Sequence, residues 1–354
     1  MGKIKVFIID DSALVRETLR KILEKDPEIE VLGSAMDPFF AAKKIKETQP
    51  DVITLDVEMP RMDGLSFLKK IMSSHPLPVV MISSWTSEGG DTTLKALEFG
   101  ALDFIEKPTL KIGEGLEKLQ REIISKVKAA AEVDPLKLRR IAKTDTPRVE
   151  PEEKPSPILE KTTDRLIAIG ASTGGTTAVR SIFQALPYDT PPIIAVLHMP
   201  PGFTRSFAAG LNKTCRMKVK EASHNEALLK GHAYIAPGDR HLLLDRSGAQ
   251  YYVKLNDDPP YNRHRPSVDK TFFSIAQAAG KNALGFLLTG MGNDGAEGLL
   301  EMKKRGGLTR VQDEASSIVY GMPKQALTLG AAEEEINLQE IPAFIQNWNK
   351  TVRK

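Results

Sequence analysis

The run Gly170-Ala171-Ser172-Thr173-Gly174 puts one serine among small residues, directly after the apolar stretch Leu166 to Ile169. A helical pattern follows, with Val179, Ile182, Phe183 and Leu186 at i, i+3, i+4 and i+7. G-x-S-x-G between a strand and a helix is the pattern of a nucleophile elbow. Glycines permit the sharp turn, and the helix start offers backbone N–H groups to an oxyanion. Read alone, the pentapeptide also fits a glycine-rich phosphate-binding turn or a plain tight loop. Two further residues favour the nucleophile. The apolar run Pro192 to Leu197 ends at His198. The run Ala283 to Thr289 leads through Gly290-Met291-Gly292-Asn293 to Asp294. If the strands are parallel, the serine, histidine and aspartate share one edge of a sheet, where doubly wound folds build their sites. A triad is recognised by geometry rather than by chain order.

A second constellation lies near the start. Asp10 and Asp11 follow one apolar run, Asp56 another, Ser83 a third, and Lys107 a fourth. Crowded carboxylates repel one another unless a hard cation neutralises them, and oxygen ligands suit Mg²⁺. With a hydroxyl and an ammonium added, the set is that of a phosphoryl-transfer site in which one aspartate attacks. A plainer role, capping the next helix, is expected for Asp10 or Asp11. It does not explain five groups at successive strand ends.

The elements that must position these residues alternate regularly. Strands are expected at Ile4–Ile9, Ile29–Ala35, Val52–Leu55, Val79–Ile82 and Ala101–Ile105, with helices between them and a last amphipathic helix over Leu116 to Val127. Thr144 to Thr163 holds Pro147, Pro151, Pro155 and Pro157 among charged residues and reads as a solvated linker. A second α/β region starts near Arg165. Its segments His232–Ala236, His241–Leu244 and Tyr251–Leu255, broken by Pro237-Gly238-Asp239 and Ser247-Gly248, read as a β-hairpin excursion. At 354 residues two domains are the natural expectation, and 41% hydrophobic residues suffice for their cores. A net charge of +3 argues against a strongly basic nucleic-acid binder. Cys215 is the only cysteine, which excludes an intrachain disulfide and a cysteine metal cluster within one chain. No signal-peptide pattern precedes the first strand and no apolar run reaches membrane-spanning length, so a cytoplasmic protein without membrane insertion is expected.

Ile8-Ile9-Asp10-Asp11-Ser12, Leu55 through Gly64 (Leu-Asp-Val-Glu-Met-Pro-Arg-Met-Asp-Gly), Ser83 and Glu106-Lys107-Pro108 resemble the receiver domain of two-component response regulators over about the first 130 residues. The later part resembles the catalytic domain of chemotaxis protein-glutamate methylesterases, the CheB family. The matching segments are Ile169 to Thr176, Leu197 to Pro200, Phe203 to Phe207, Tyr234 to Asp239, Asn262 to Asp269 and Leu288 to Gly295. The resemblance implies a receiver over 1–130, a linker over 131–163 and a methylesterase domain over 164–354. It implies two doubly wound three-layer α/β domains with mainly parallel sheets: a flavodoxin-like receiver and a Rossmann-like esterase domain with a β-hairpin. It makes Asp56 the acceptor of phosphate from a chemotaxis histidine kinase. Ser83 and Lys107 become the phosphorylation switch, and Asp10, Asp11, Asp56 and the carbonyl of Glu58 hold Mg²⁺. It makes Ser172 the nucleophile, His198 the general base and Asp294 its orienter, with Met291 near the oxyanion and no cofactor for the ester chemistry. The implied substrates are glutamate methyl esters on methyl-accepting chemoreceptors, releasing methanol. Some receptor glutamines are deamidated by the same route, and phosphorylation uncovers the esterase.

Other residues compete for roles. Asp313, after the strand-like run Leu308 to Gln312, is the rival to Asp294. Thr173 is a hydroxyl donor near His198 or a helix cap. His264 either touches substrate or fixes a loop, the second being favoured. Arg205 steers an acidic receptor surface or is a plain helix charge. His75, His224, His232 and His241 read as surface or structural, and Cys215 as packing. Two other classes stay open. A DNA-binding output domain would need a basic recognition helix. A nucleotide-dependent enzyme would use Gly170 to Gly175 as a phosphate cradle, but the G-x-G-x-x-G spacing is absent.

Overall fold

The last four residues of β1 (Ile4–Ile9) are buried, as are all five of β3 (Val52–Asp56) and of β4 (Val79–Ser83). Strands that expose neither face must be covered by helices on both, which is the condition for a parallel sheet. The computed structural model bears this out. It describes residues 2–59, 62–83, 87–108, 115–134, 137–138 and 164–351. The chain divides into two compact units, Met1–Thr146 and Pro147–Lys354.

In the first unit β2 (Ile29–Ala35) and β5 (Asp103–Glu106) complete a five-stranded sheet of order β2-β1-β3-β4-β5. Every pairing is parallel. The strand order reverses between β1 and β3, the point at which flavodoxin-like sheets bind their ligands. Asp10 lies just beyond β1, and Asp56 and Ser83 are the last residues of β3 and β4. The expected strands therefore extend one residue further at β3 and β4, because ladder bonds still pair Asp56 with Ile82 and Ser83 with Glu106. The final helix runs Gly115–Ala131, a turn longer than its apolar pattern suggested. Ser12 caps the first helix, Ala13–Leu23, by accepting from the Val15 N–H at 3.4 Å. Neither Asp10 nor Asp11 is that cap, which corrects the plainer reading of those carboxylates. Most of the expected linker, and Pro60 and Arg61 of the phosphoacceptor motif, fall outside the described residues.

The second unit contains β6 (Leu166–Ala171), β7 (Ile193–Leu197), β8 (Lys218–Glu221), β9 (His232–Ile235), β10 (His241–Ser247), β11 (Gln250–Asn256), β12 (Ala283–Leu287), β13 (Leu308–Gln312) and β14 (Glu334–Ile336). Seven of them form one parallel sheet of order β14-β13-β12-β6-β7-β9-β8. The hairpin is β10 paired with β11, a separate two-stranded antiparallel sheet. His232–Ile235 belongs to the main sheet instead, because its buried Ala233, Tyr234 and Ile235 ladder against β7. The chain leaves β6 toward β7 and later returns to β12 on the other side, so β6, β7 and β12 meet at a topological switch point.

Two glycines of the serine motif have distinct causes. A Cβ on Gly170 would lie 2.3 Å from Val268 Cγ1, so the missing side chain admits the start of the helix Val268–Ala279 against β6. Gly174 has φ 79° and stands at the N-terminus of the helix Gly175–Ala185. Thr173 is therefore not the helix cap.

Candidate functional site

Register brings serine and histidine together. Ala171 on β6 pairs with Leu197 on β7, so Ser172 and His198 are the next residues of two adjacent strands. The His198 N–H donates to the Ala171 carbonyl at 3.4 Å. On the other side of β6, the Ser172 N–H donates to the Thr289 carbonyl just beyond β12, at 3.0 Å. A Cβ on Gly290 would stand 2.7 Å from Ser172 Cβ, so the loop after β12 lies directly against the serine. Ser172 is half-buried and Thr173 buried. The Thr173 carbonyl accepts from Thr289 Oγ1 at 2.9 Å. Met291 follows Gly290, whose carbonyl is held by the N–H groups of Gly321 and Met322 at 3.1 and 2.8 Å.

His198 Nε2 lies 2.8 Å from Asp294 Oδ2, and both side chains are nearly inaccessible, at 5% and 2%. Asp294 Oδ1 accepts from Ser267 Oγ at 2.7 Å and the Asp269 N–H at 3.2 Å, and Oδ2 also accepts from the Val268 N–H at 2.8 Å. The carboxylate thus sits at the N-terminus of the helix Val268–Ala279, where backbone N–H groups and the helix dipole favour negative charge. Burial alone would raise its pKa. The bond from His198, the nearby imidazoles and the bond from Ser267 outweigh burial and hold it below the usual carboxylate range. Asp269 is shifted the opposite way, first by burial and then by the Asp294 charge. It accepts from the Gly298 N–H and from Asn262 Nδ2, each at 2.6 Å.

These bonds decide the tautomer. An ionised Asp294 can only accept, so the proton of a neutral His198 ring is on Nε2 and Nδ1 is the basic atom. Nδ1 is buried and makes no hydrogen bond among the described residues. In the more familiar triad the aspartate holds Nδ1 and leaves Nε2 for the serine, whereas Asp294 holds the other ring nitrogen of His198.

The rival carboxylate is elsewhere. Asp313 accepts from the Ser316 N–H at 3.0 Å and from Asn337 Nδ2 at 3.1 Å, shaping the loop after β13. Arg205 is exposed and bonds Glu221 at 3.4 Å. His241 is buried and structural: Nε2 donates to the Pro259 carbonyl, and Nδ1 accepts from the Ser267 N–H. His224 Nδ1 accepts from the Leu255 N–H at 3.1 Å, His75 ends a helix, and Cys215 is buried. Ser267 and Thr289 were missed as site residues. Ser267 carried a signal, a helix-start serine before an apolar-periodic run. Thr289 carried none.

In the first unit, oxygens of Asp10, Asp11 and Asp56 all lie within 4.8 Å of one another. Asp10 and Asp56 are fully buried and Asp11 is exposed. Lys107 Nζ is 2.7 Å from Asp56 Oδ2 and 3.7 Å from Asp10 Oδ2. Burial, together with the Asp10 charge, pushes Asp56 up to about 6 against the pull of Lys107. Asp10 is raised mainly by burial. Asp56 Oδ1 accepts from the Glu58 N–H at 3.1 Å, and Glu58 is exposed. Ser83 Oγ accepts from Thr93 Oγ1 at 2.8 Å, and the Ser83 carbonyl accepts from the Lys107 N–H at 2.8 Å. Asp10 Oδ2 is buried without a hydrogen-bond partner among the described residues. An orphaned carboxylate oxygen, beside two more carboxylates and the Lys107 ammonium, fits a hard divalent cation.

Comparison with known proteins followed the same division. The CheB methylesterase family matches residues 167–345, and the response regulator receiver domain matches residues 6–120. The chain is 52% identical over 349 residues to protein-glutamate methylesterase/protein-glutamine glutaminase 3 of Geobacter metallireducens, covering 96% of this chain and 98% of that one. It is 51% identical over 341 residues to the protein-glutamate methylesterase/protein-glutamine glutaminase of Salmonella typhimurium, covering 96% and 95%. The crystal structure of the Thermotoga maritima CheB methylesterase catalytic domain matches with a TM-score of 0.52 and 36% identity, over 52% of this chain and 99% of that one. No helix among the described residues is long and apolar enough to cross a membrane.

Proposed function

This chain belongs to the CheB methylesterase family, with a response-regulator receiver domain at its N-terminus, and from that premise we propose that it is a serine esterase switched on by phosphorylation. Residues 1–130 form the receiver, 131–163 the linker and 164–354 the catalytic domain. The substrates are glutamate methyl esters on chemoreceptors, in the cytoplasm, and the phosphodonor is a chemotaxis histidine kinase. Receptor glutamines are deamidated at the same site. The observation that carries the reading is the 2.8 Å bond between His198 Nε2 and Asp294, with Ser172 on the neighbouring strand end.

Ser172 Oγ attacks the ester carbonyl carbon while His198 Nδ1 takes its proton. Asp294 accepts from Nε2–H throughout and stabilises the imidazolium. The Ser172 N–H is already committed to Thr289, so the oxyanion donors are assigned to the backbone of Thr173 and Met291. The imidazolium returns its proton to the leaving methoxide, which departs as methanol. Water then attacks the acyl-enzyme with His198 again as base, freeing the glutamate. With glutamine the first leaving group is ammonia. No cofactor enters these steps.

In the receiver, Asp10, Asp11, Asp56 and the Glu58 carbonyl would hold Mg²⁺, which when bound supplies charge neutralisation for phosphoryl transfer. Asp56 accepts the phosphoryl group, Lys107 pairs with it, and Ser83 turns its hydroxyl toward it. The test is methanol release from methylated receptors. Ser172→Ala should lower it by about three orders of magnitude or more while the protein stays folded. An active-site serine label should react with the wild type alone. Near-normal turnover in the variant would remove the serine mechanism.

A further inference from the structure

We propose that His264 is a positioning residue for His198, a role that rests on the reading of His198 as the general base. The two imidazole rings lie face to face, with centroids 3.6 Å apart and planes 1° from parallel. The Asp294 bond fixes one atom of the His198 ring. It does not fix the tilt of the ring plane about the line from Cβ to Nε2, and that tilt decides where Nδ1 points. A flat surface against the ring face removes this freedom.

The surface is itself held. The Tyr261 and His264 backbones exchange hydrogen bonds of 3.1 and 2.9 Å, closing a tight loop in which Asn262 and Arg263 adopt φ of 49° and 70°. Asn262 is tied to Asp269. Arg265 bonds Asp239 and the carbonyls of Asp257 and Asp258. Three residues beyond His264, Ser267 grips Asp294. A single segment thus holds the base from its face and the orienting carboxylate from its far side.

His198 takes the serine proton only when Nδ1 points at the hydroxyl. A lost ring orientation therefore acts on the proton-transfer step, on kcat rather than on KM.

The experiment uses the full chain and methylated receptors, with kcat and KM measured separately for His264→Ala, His264→Leu, His264→Phe and His198→Ala. Phenylalanine keeps a flat aromatic face, and leucine keeps bulk without one. Alanine and leucine should each lower kcat about tenfold with KM within about twofold, and phenylalanine should stay within about threefold of wild type. If the alanine variant fails to show a normal thermal transition, the leucine–phenylalanine pair decides alone. Equal kcat for leucine and phenylalanine would overturn the proposal, as would a loss confined to KM, which marks substrate contact. Wild-type turnover by His198→Ala would instead defeat the base assignment beneath it.

Discussion

Asp294 is bound by a ring N–H, a hydroxyl and two backbone N–H groups, and each favours its ionised form. An amide in its place can turn its NH₂ toward Nε2 and stabilise the tautomer with the proton on Nδ1, which cannot accept from serine. Asp294→Asn should therefore lower kcat by about three orders of magnitude, with receptor binding little changed. Steady-state kinetics on methylated receptors would check this, and a loss in Asp313→Asn instead would move the role to that residue. Asp56 is the opposite case, a carboxylate whose surroundings disfavour its charge. With its pKa raised from 3.8 to about 6, the folded receiver binds more protons than the unfolded chain between those values. Stability should thus fall as pH rises from about 4 to 6 and stay lowered above that, by at most about 3 kcal/mol. Asp56→Asn removes the titration. Calorimetry in chelator should show the receiver transition of this variant raised at neutral pH and nearly unchanged at pH about 4. An equal shift at both values would mean that packing, not charge, is responsible.

At the scale of elements, the site depends on one close approach. Gly170 lets Val268 reach the sheet, and the Val268 and Asp269 N–H groups then reach Asp294. Gly170→Ala would put a Cβ 2.3 Å from Val268 Cγ1, so the helix start must move outward. Overpacking of this kind costs about 1–3 kcal/mol, and turnover should fall about tenfold or more as Asp294 loses donors. Unchanged thermal stability and turnover would show that the helix start can yield without cost. The sequence showed the buried central strands and the strand-end residues, because continuous apolar runs and punctuating glycines are local signals. It did not show β8, with Lys218, Lys220 and Glu221, or β14, with Glu334 and Glu335, because edge strands carry charge on their solvent side. Asp294 was legible over Asp313 only through its glycine-rich loop. The pairing of Ala171 with Leu197 that sets serine beside histidine is a register, and register is settled by the whole sheet. The His198 Nε2 bond to Asp294 and the His264 stack come from two different loops far along the chain, and no local pattern encodes either.

At the scale of the whole molecule, the carboxylate cluster of Asp10, Asp11 and Asp56 and the His198–Asp294 pair stand in separate units of one chain. Phosphorylation of Asp56 can alter ester hydrolysis only if the phosphoryl group differs in free energy between a less active and a more active state of the esterase. Covalent linkage makes a weak interaction between units sufficient, because the tether sets a high effective concentration. A coupling of typical size, about 1–3 kcal/mol, corresponds to roughly 5- to 150-fold in activity. Acetyl phosphate with Mg²⁺ should therefore raise methanol release by the full chain by about tenfold or more. Asp56→Asn should stay at the basal rate under the same conditions, since a neutral amide replaces the nucleophilic carboxylate. Removing residues 1–140 separates two forms of the coupling. If the unphosphorylated receiver restrains the esterase, the remaining chain should exceed the basal rate of the full-length protein without any phosphodonor. A truncated chain no faster than the unphosphorylated full-length protein would eliminate restraint and leave activation by contact with the phosphorylated receiver. Equal rates for wild type and Asp56→Asn with acetyl phosphate would remove the coupling in both forms.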